Sequence, residues 1–156
     1  MLAIGDAIAV TLLKKRGFTS KDFHALHPGG KLGHILLEVQ DIMKENKLIP
    51  LIAEKQKVGD AILEMTSKGK GCVGVVSKKG DLTGIITDGD LRRHMSPDLM
   101  EKNVIDVMTK SPKTLSPSTL VSEALKMMNN QSITTYFITQ GRKPLGIIHM
   151  HDILRK

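Results

Sequence analysis

Tryptophan is absent, and one Tyr and three Phe are the only aromatic residues among 156, a content of 3%. Single-strand nucleic-acid binders need aromatic platforms on which bases stack, and here only Tyr136 and Phe137 are adjacent, inside a strand-like run. Cysteine is almost missing as well. Cys72 stands alone and cannot form an intramolecular disulfide, which with the lack of a secretory pattern leads us to expect a reducing, cytoplasmic setting. Long apolar runs are missing too: the longest are a few residues, against the roughly 20 that a spanning helix requires, so no membrane segment is expected. What remains is ordinary for a globular chain, with 40% apolar residues, 25% charged, 14 Gly and 6 Pro, which excludes collagen-like and low-complexity polymers. Such a length buries roughly 70% of its unfolded surface without disulfide or metal. The core must then consist of Ile, Leu, Val and the nine Met.

The formal charge is +7, and excess positive charge calls for an anionic partner. It is spread out. Residues 1–40 carry five basic and three acidic groups, 41–105 carry eleven and ten, and 106–156 carry seven and three. No dense basic block exists, so small phosphorylated or acidic ligands and solvated lysines explain the charge better than nucleic acid.

An internal repeat organises most of the chain. Asp41-Ile42-Met43-Lys44 returns as Asp106-Val107-Met108-Thr109, Val58 to Met65 returns as Val121 to Met128, and Gly84 to Arg93 returns as Gly146 to Arg155. The order is kept and the offset drifts only slightly, as in a duplication. Val58, Ala61, Ile62 and Met65, then Val121, Ala124, Leu125 and Met128, fall at i, i+3, i+4 and i+7, one apolar face of an amphipathic helix. A β-rich run follows each helix (72–77 and 134–139), then a turn (79–81 and 141–144), a second strand (82–87 and 145–149) and a closing helix where Asp88 or Asp90 and Asp152 stand as capping residues. Shorter extended segments, near 48–52 and 113–115, precede the helices. Each copy therefore reads strand, helix, strand, strand, helix, and two copies packed together share a sheet surface.

Each copy resembles a CBS motif, and the tandem resembles a CBS pair. The pattern Gly84-Ile85-Ile86-Thr87-Asp88-Gly89-Asp90 carries the resemblance most specifically, and copy two keeps the Asp as Asp152 with His149 at the Thr position. The expected fold is α+β, a tandem CBS pair with motifs at 41–100 and 101–156. The resemblance implies a small-molecule partner, a nucleotide or nucleotide sugar bound between the copies. Asp90 has the acceptors for two ribose hydroxyls and Thr87 a donor for a phosphate oxygen, while a plain helix cap remains the other role of both. His149, His151 and Asp152 form a second polar set, suited to hydrogen bonding a sugar acid or phosphate. Two imidazoles and one carboxylate fall short of a convincing metal site, and none is expected. Arg92, Arg93 and Arg155 follow the motifs as weaker candidates for neutralising an anion.

Residues 1–40 lie outside the repeat. Residues 2–18 read as a helix apolar on too many faces to stand alone, with basic residues in its last turn and Gly17 as C-cap. A short capped helix (19–26) and the loop His27-Pro28-Gly29-Gly30 follow. This order, with Gly5-Asp6-Ala7, Arg16-Gly17-Phe18 and Asp22-Phe23, resembles the end of the sugar isomerase (SIS) domain in bacterial arabinose-5-phosphate isomerases, so 1–40 are expected to be a helical remnant of an α/β domain. The resemblance implies that the parent interconverts D-ribulose 5-phosphate and D-arabinose 5-phosphate for Kdo and lipopolysaccharide synthesis. It also implies that His27 is catalytic only in the intact enzyme, that this piece alone is inactive, and that no cofactor is required. The regulatory ligand is expected to be CMP-Kdo or an adenine nucleotide, in a homo-oligomer built from dimers of CBS pairs, a tetramer in the parent. The alternatives are a purely architectural dimerisation module and an adenine-nucleotide sensor of another sugar-phosphate isomerase.

Overall fold

A computed structural model of the chain describes residues 2–18, 22, 37–45 and 48–155. The elements in order are α1 (Leu2–Lys15), β1 (Lys44–Glu45), β2 (Leu51–Ala53), α2 (Val58–Lys68), β3 (Cys72–Val76), β4 (Leu82–Thr87), α3 (Asp88–Arg93), α4 (Val104–Val107), β5 (Thr109–Lys110), β6 (Thr114–Leu115), α5 (Val121–Gln131), β7 (Thr135–Gln140), β8 (Lys143–His149) and α6 (Met150–Leu154). Single 3-10 turns at Val39–Asp41 and Leu99–Glu101 precede β1 and α4. This is the expected α+β pair of repeats. No helix among the described residues is long and apolar enough to cross a membrane.

The amphipathic helices begin where the apolar period begins. Val58, Ala61 and Met65 of α2, and Val121, Ala124 and Met128 of α5, are the buried positions. Glycine stops α2: Gly69 takes φ +60° and its N–H donates to the Met65 carbonyl, the left-handed C-cap that lacks a Cβ penalty only for Gly. At the equivalent end of α5, Ser132 adopts φ 53° instead.

Two four-stranded sheets run in the order β2-β3-β4-β5 and β1-β8-β7-β6. Within each, one strand pair is parallel across a helix (β2 with β3, β6 with β7) and the next is an antiparallel hairpin. The outer strands are exchanged. β1, at the start of copy one, pairs with β8 of copy two through Lys44↔Ile147 and Glu45↔Gly146, whereas β5, near the start of copy two, pairs with β4 of copy one through Gly84↔Lys110 and Ile85↔Thr109. Apolar side chains follow the strands: Val39 and Ile42 pack among Leu115, Val121, Tyr136 and Ile148, and Val104 packs among Ile52, Ala61, Val73 and Ile86.

This exchange brings the two ends of the repeat signature into contact. Met108 covers Gly84, and a Cβ built there would lie 2.9 Å from its Cγ; Met43 covers Gly146 in the same way, with the Lys44 carbonyl at 3.1 Å. Gly146→Ala is therefore expected to lower stability by about 1–3 kcal/mol. Gly84→Ala should cost less, because only the Met108 side chain must yield. Urea midpoints of the two variants measure the order, and equal midpoints would contradict it.

The copies meet through Ile49, Cys72 and Leu82 on one side and Phe137 and Ile147 on the other, all buried. By contrast, α1 leaves Ile4, Ile8, Val10, Leu12 and Leu13 exposed, at 44–68%. This is the helix expected to need a surface the chain scarcely provides. Of the expected short helix at 19–26 only Asp22 is described, and the His27 loop lies outside the described residues.

Candidate functional site

A cleft of about 770 Å³ opens between the copies, within the range of small-molecule sites. Its walls are the loop Gly69–Gly71, the start of α3, the segment from Thr109 to Lys113, and the loop from Ser132 to Thr135, with His149 at one side. The duplication explains this convergence. The loops after α2 and α5 are repeat equivalents, and each anchors a closing helix: the Gly71 carbonyl accepts from Asp88 N–H, and the Thr134 carbonyl from Met150 N–H.

Thr87 and Asp90 stand together in the wall. Thr87 is the N-cap of α3, and its hydroxyl accepts from Asp90 N–H. Asp90, only 3% exposed, accepts in return from Thr87 N–H at 2.8 Å and from the Thr87 hydroxyl at 2.6 Å, both on Oδ2. Its Oδ1 accepts from the Thr109 hydroxyl at 2.9 Å and from the Arg93 guanidinium. Burial pushes the Asp90 carboxyl up, but donation by Thr87, Thr109 and Arg93 outweighs it and holds the group below its ordinary value. The capping box is thus realised in full. Asp90 and Arg93, whose side chain is 65% exposed, both line the cleft.

Copy two repeats the arrangement with different chemistry. His149 caps α6, its Nδ1 accepting from His151 N–H at 3.1 Å, while Asp152 accepts from His149 N–H at 3.2 Å. An accepting Nδ1 leaves the proton on Nε2. Burial, the neighbouring His151 and the Lys70 charge push the His149 imidazole below its ordinary value of 6.5. Asp152 is not among the residues lining the cleft, and Lys70 reaches it from copy one at 3.2 Å; burial raises its carboxyl, and Lys70, with the His149 N–H and Lys44, more than reverses that. Of the five ligand candidates, the structure places Thr87, Asp90 and His149 on the cleft wall. Exposed His151 tilts against His149 with ring centroids 4.9 Å apart. Arg92 and Arg93 face the cleft. No group of three His, Cys, Asp or Glu side chains among the described residues is placed to hold a metal.

Three wall residues carried no signal in the motif. Lys70 sits between Gly69 and Gly71, both at positive φ, and that Gly-Lys-Gly run was its only mark. Lys113 adds a cation. Thr135 is the informative one. Its hydroxyl is the one buried side-chain polar atom without a hydrogen-bond partner among the described residues, and Thr135 is one of the residues lining the cleft; buried polar atoms are otherwise nearly always paired. Cys72 lines the cleft too, its thiol pushed up to about 12 by burial and by Asp88 against the opposing Lys70.

These shifts set the acid response. His149 is neutral-favouring when folded, so its contribution is complete above pH 6.5 and fades as pH falls through its lowered folded value. Asp90 and Asp152, both held below 3.8, contribute fully above that value and lose it in stronger acid. Stability should therefore decline in two stages, and His149→Asn should remove the first. Urea midpoints between pH 3 and 8 measure this; an unchanged profile in the variant would refute it.

The CBS domain family matches residues 39–97 and 104–156. Arabinose 5-phosphate isomerase KdsD of Yersinia pestis is 43% identical over 157 residues, 99% of this chain and 48% of the relative. An uncharacterized protein of Rickettsia prowazekii is 40% identical over 154 residues, again 99% and 48%. The chain thus spans about half the length of the curated relatives it matches. Among solved structures, CBSX2 in complex with AMP superposes with a TM-score of 0.66 at 22% identity, over 76% of this chain and 93% of that one. The CBS pair of protein MJ0100, in complex with 5-methylthioadenosine and S-adenosyl-L-methionine, gives 0.66 at 22%, over 77% and 94%.

Proposed function

The chain belongs to the CBS domain family, and from that premise we propose that its cleft is a regulatory site for a nucleotide or nucleotide sugar, serving a D-arabinose-5-phosphate isomerase of which this is the C-terminal part. The observation that carries the reading is the unpartnered Thr135 hydroxyl in a cleft already walled by Thr87, Asp90 and His149. A ligand hydroxyl or phosphate oxygen satisfies it. Asp90 takes the ribose, Thr87 and the cleft cations take the charged end, His149 donates through Nε2, and His151 and Asp152 hold His149 in place. The adenosyl ligands named for two structural neighbours support an adenine nucleotide. The identity to KdsD isomerases supports CMP-Kdo, a downstream product acting by feedback.

In the parent enzyme, the apolar exposure of α1 is covered by the sugar isomerase domain, and His27 is the acid/base group of the isomerisation. The piece alone is inactive, needs no cofactor, and works in the cytoplasm. A second reading, architecture, draws on Leu63 of α2, 71% exposed on the same helical face as Gly59, and Met100 beside Gly59, 52% exposed. Together they offer an apolar surface for a dimer of CBS pairs, which becomes a tetramer in the parent. Thermal shift with AMP, ATP, CMP and CMP-Kdo separates the two, since a ligand that binds only the folded state raises the melting temperature. No rise with any of them at millimolar concentration, alongside a dimer in sedimentation, leaves architecture alone.

A further inference from the structure

We propose that Lys70 is a ligand-responsive latch between the copies: Asp152 holds its ammonium here, and the phosphate of a bound ligand takes it over. The proposal rests on the cleft being a nucleotide site and adds which ligands it prefers and how occupancy is transmitted. Lys70 belongs to the cleft wall, yet its Nζ reaches Asp152, 82 residues away and in the other copy.

The arrangement is not a product of the repeat. The position equivalent to Lys70 in copy two is Ile133, which has no charge, and the residue equivalent to Asp152 is Asp90, whose cation comes from its own helix as Arg93. Asp152 instead takes its cation from the other copy. The pair is also weakly committed, because both side chains keep solvent contact, at 18% and 24%, and partly exposed ion pairs contribute little. If Lys70 leaves, Asp152 retains the His149 N–H and the nearby positive charge of Lys44. A phosphate brings more negative charge and more acceptor oxygens than one carboxylate.

The cleft also needs Lys70. Asp88 lies over Gly71, close enough that a Cβ there would be 3.2 Å from its Oδ2, and opposes any anion entering beside that loop. Arg93 is engaged by Asp90. Lys70, between Gly69 and Gly71, joins Arg92 and Lys113 among the wall cations that can offset it. Its departure loosens the acid that caps α6, so occupancy is felt in the last helix of copy two.

Calorimetric titration of the whole chain with AMP and CMP, and with adenosine and cytidine as uncharged controls, tests the latch. Lys70→Met should weaken monophosphate binding about tenfold, the loss of one charge-assisted contact, and leave the nucleosides unchanged. Asp152→Asn should strengthen monophosphate binding about threefold or more, because Asn still accepts from His149 N–H and the freed ammonium faces the cleft. Weaker or unchanged monophosphate binding in Asp152→Asn overturns the latch, as does an equal loss for nucleosides and monophosphates in Lys70→Met. If the wild type binds no nucleotide, the site reading falls, and pyrophosphate then reads the latch. It must raise the melting temperature of wild type above its effect on Lys70→Met, and equal shifts overturn the proposal.

Discussion

Phe137→Ala is expected to destabilise the chain by about 3–5 kcal/mol, the range for truncating a buried aromatic ring. Phe137 lies on β7 of copy two, is fully buried, and packs with Ile49, Cys72 and Leu82 of copy one as well as Ile147. Gly74 on β3 gives the ring its room, since a Cβ there would lie 2.9 Å from Phe137 Cζ and 2.8 Å from Leu82 Cδ1. Truncation leaves a void whose walls belong to two different sheets. Each sheet is fixed by its own cluster, one around Ile52, Val73 and Ile86 and the other around Tyr136, Ile138 and Ile148, so neither can move in to fill it. The copies should then unfold less as one unit, which a urea transition shows as a lower midpoint with a smaller slope. A loss below about 1 kcal/mol would mean that the shared cluster does not hold the copies together.

The helices α2 and α5 were legible because burial at i, i+3, i+4 and i+7 writes itself into the residue types, and both start at the first apolar residue of the run, Val58 and Val121. The hairpins were legible for a related reason: β4 alternates buried and half-buried positions along Leu82–Thr87. The outer strands were not. β1 and β5 are two residues each and exposed, too short for any period. Their partners lie far away in the chain, and nothing local states that Lys44 faces Ile147 while Lys110 faces Gly84. The signal was present but relational. Gly84 and Gly146 are small because Met108 and Met43 fill the space, and neither motif states by itself which methionine meets which glycine.

At the site, Thr87 and Asp90 were visible as a cap and as a ligand pair, and the geometry fulfils the cap without removing the second role. Lys70 was hidden because its significance depends on Asp152 across the cleft. Thr135 was hidden because an unpaired hydroxyl is a property of the packed state, and its neighbours in sequence are ordinary strand residues.

Asp90→Ala should produce the largest functional loss. Four donations converge on this carboxylate, from Thr87 N–H, the Thr87 hydroxyl, the Thr109 hydroxyl and Arg93. Arg93 is free to hydrate. The Thr87 N–H and the Thr109 hydroxyl are left without their acceptor, and stranding part-buried donors of this kind costs about 1–3 kcal/mol. The Thr109 contact also ties β5 to α3, so the cleft wall between them loosens. If Asp90 takes the ribose, nucleotide affinity falls at least about tenfold through the lost hydrogen bonds. Asp90→Asn separates these effects. Its carbonyl oxygen can still accept from Thr87 and complete the cap, while its amide donates where the carboxylate accepted from Thr109 and Arg93. Stability close to wild type with affinity lost would assign Asp90 to the ligand, and retention of both would confine it to the cap. Paired denaturation and calorimetry on the two variants give that answer.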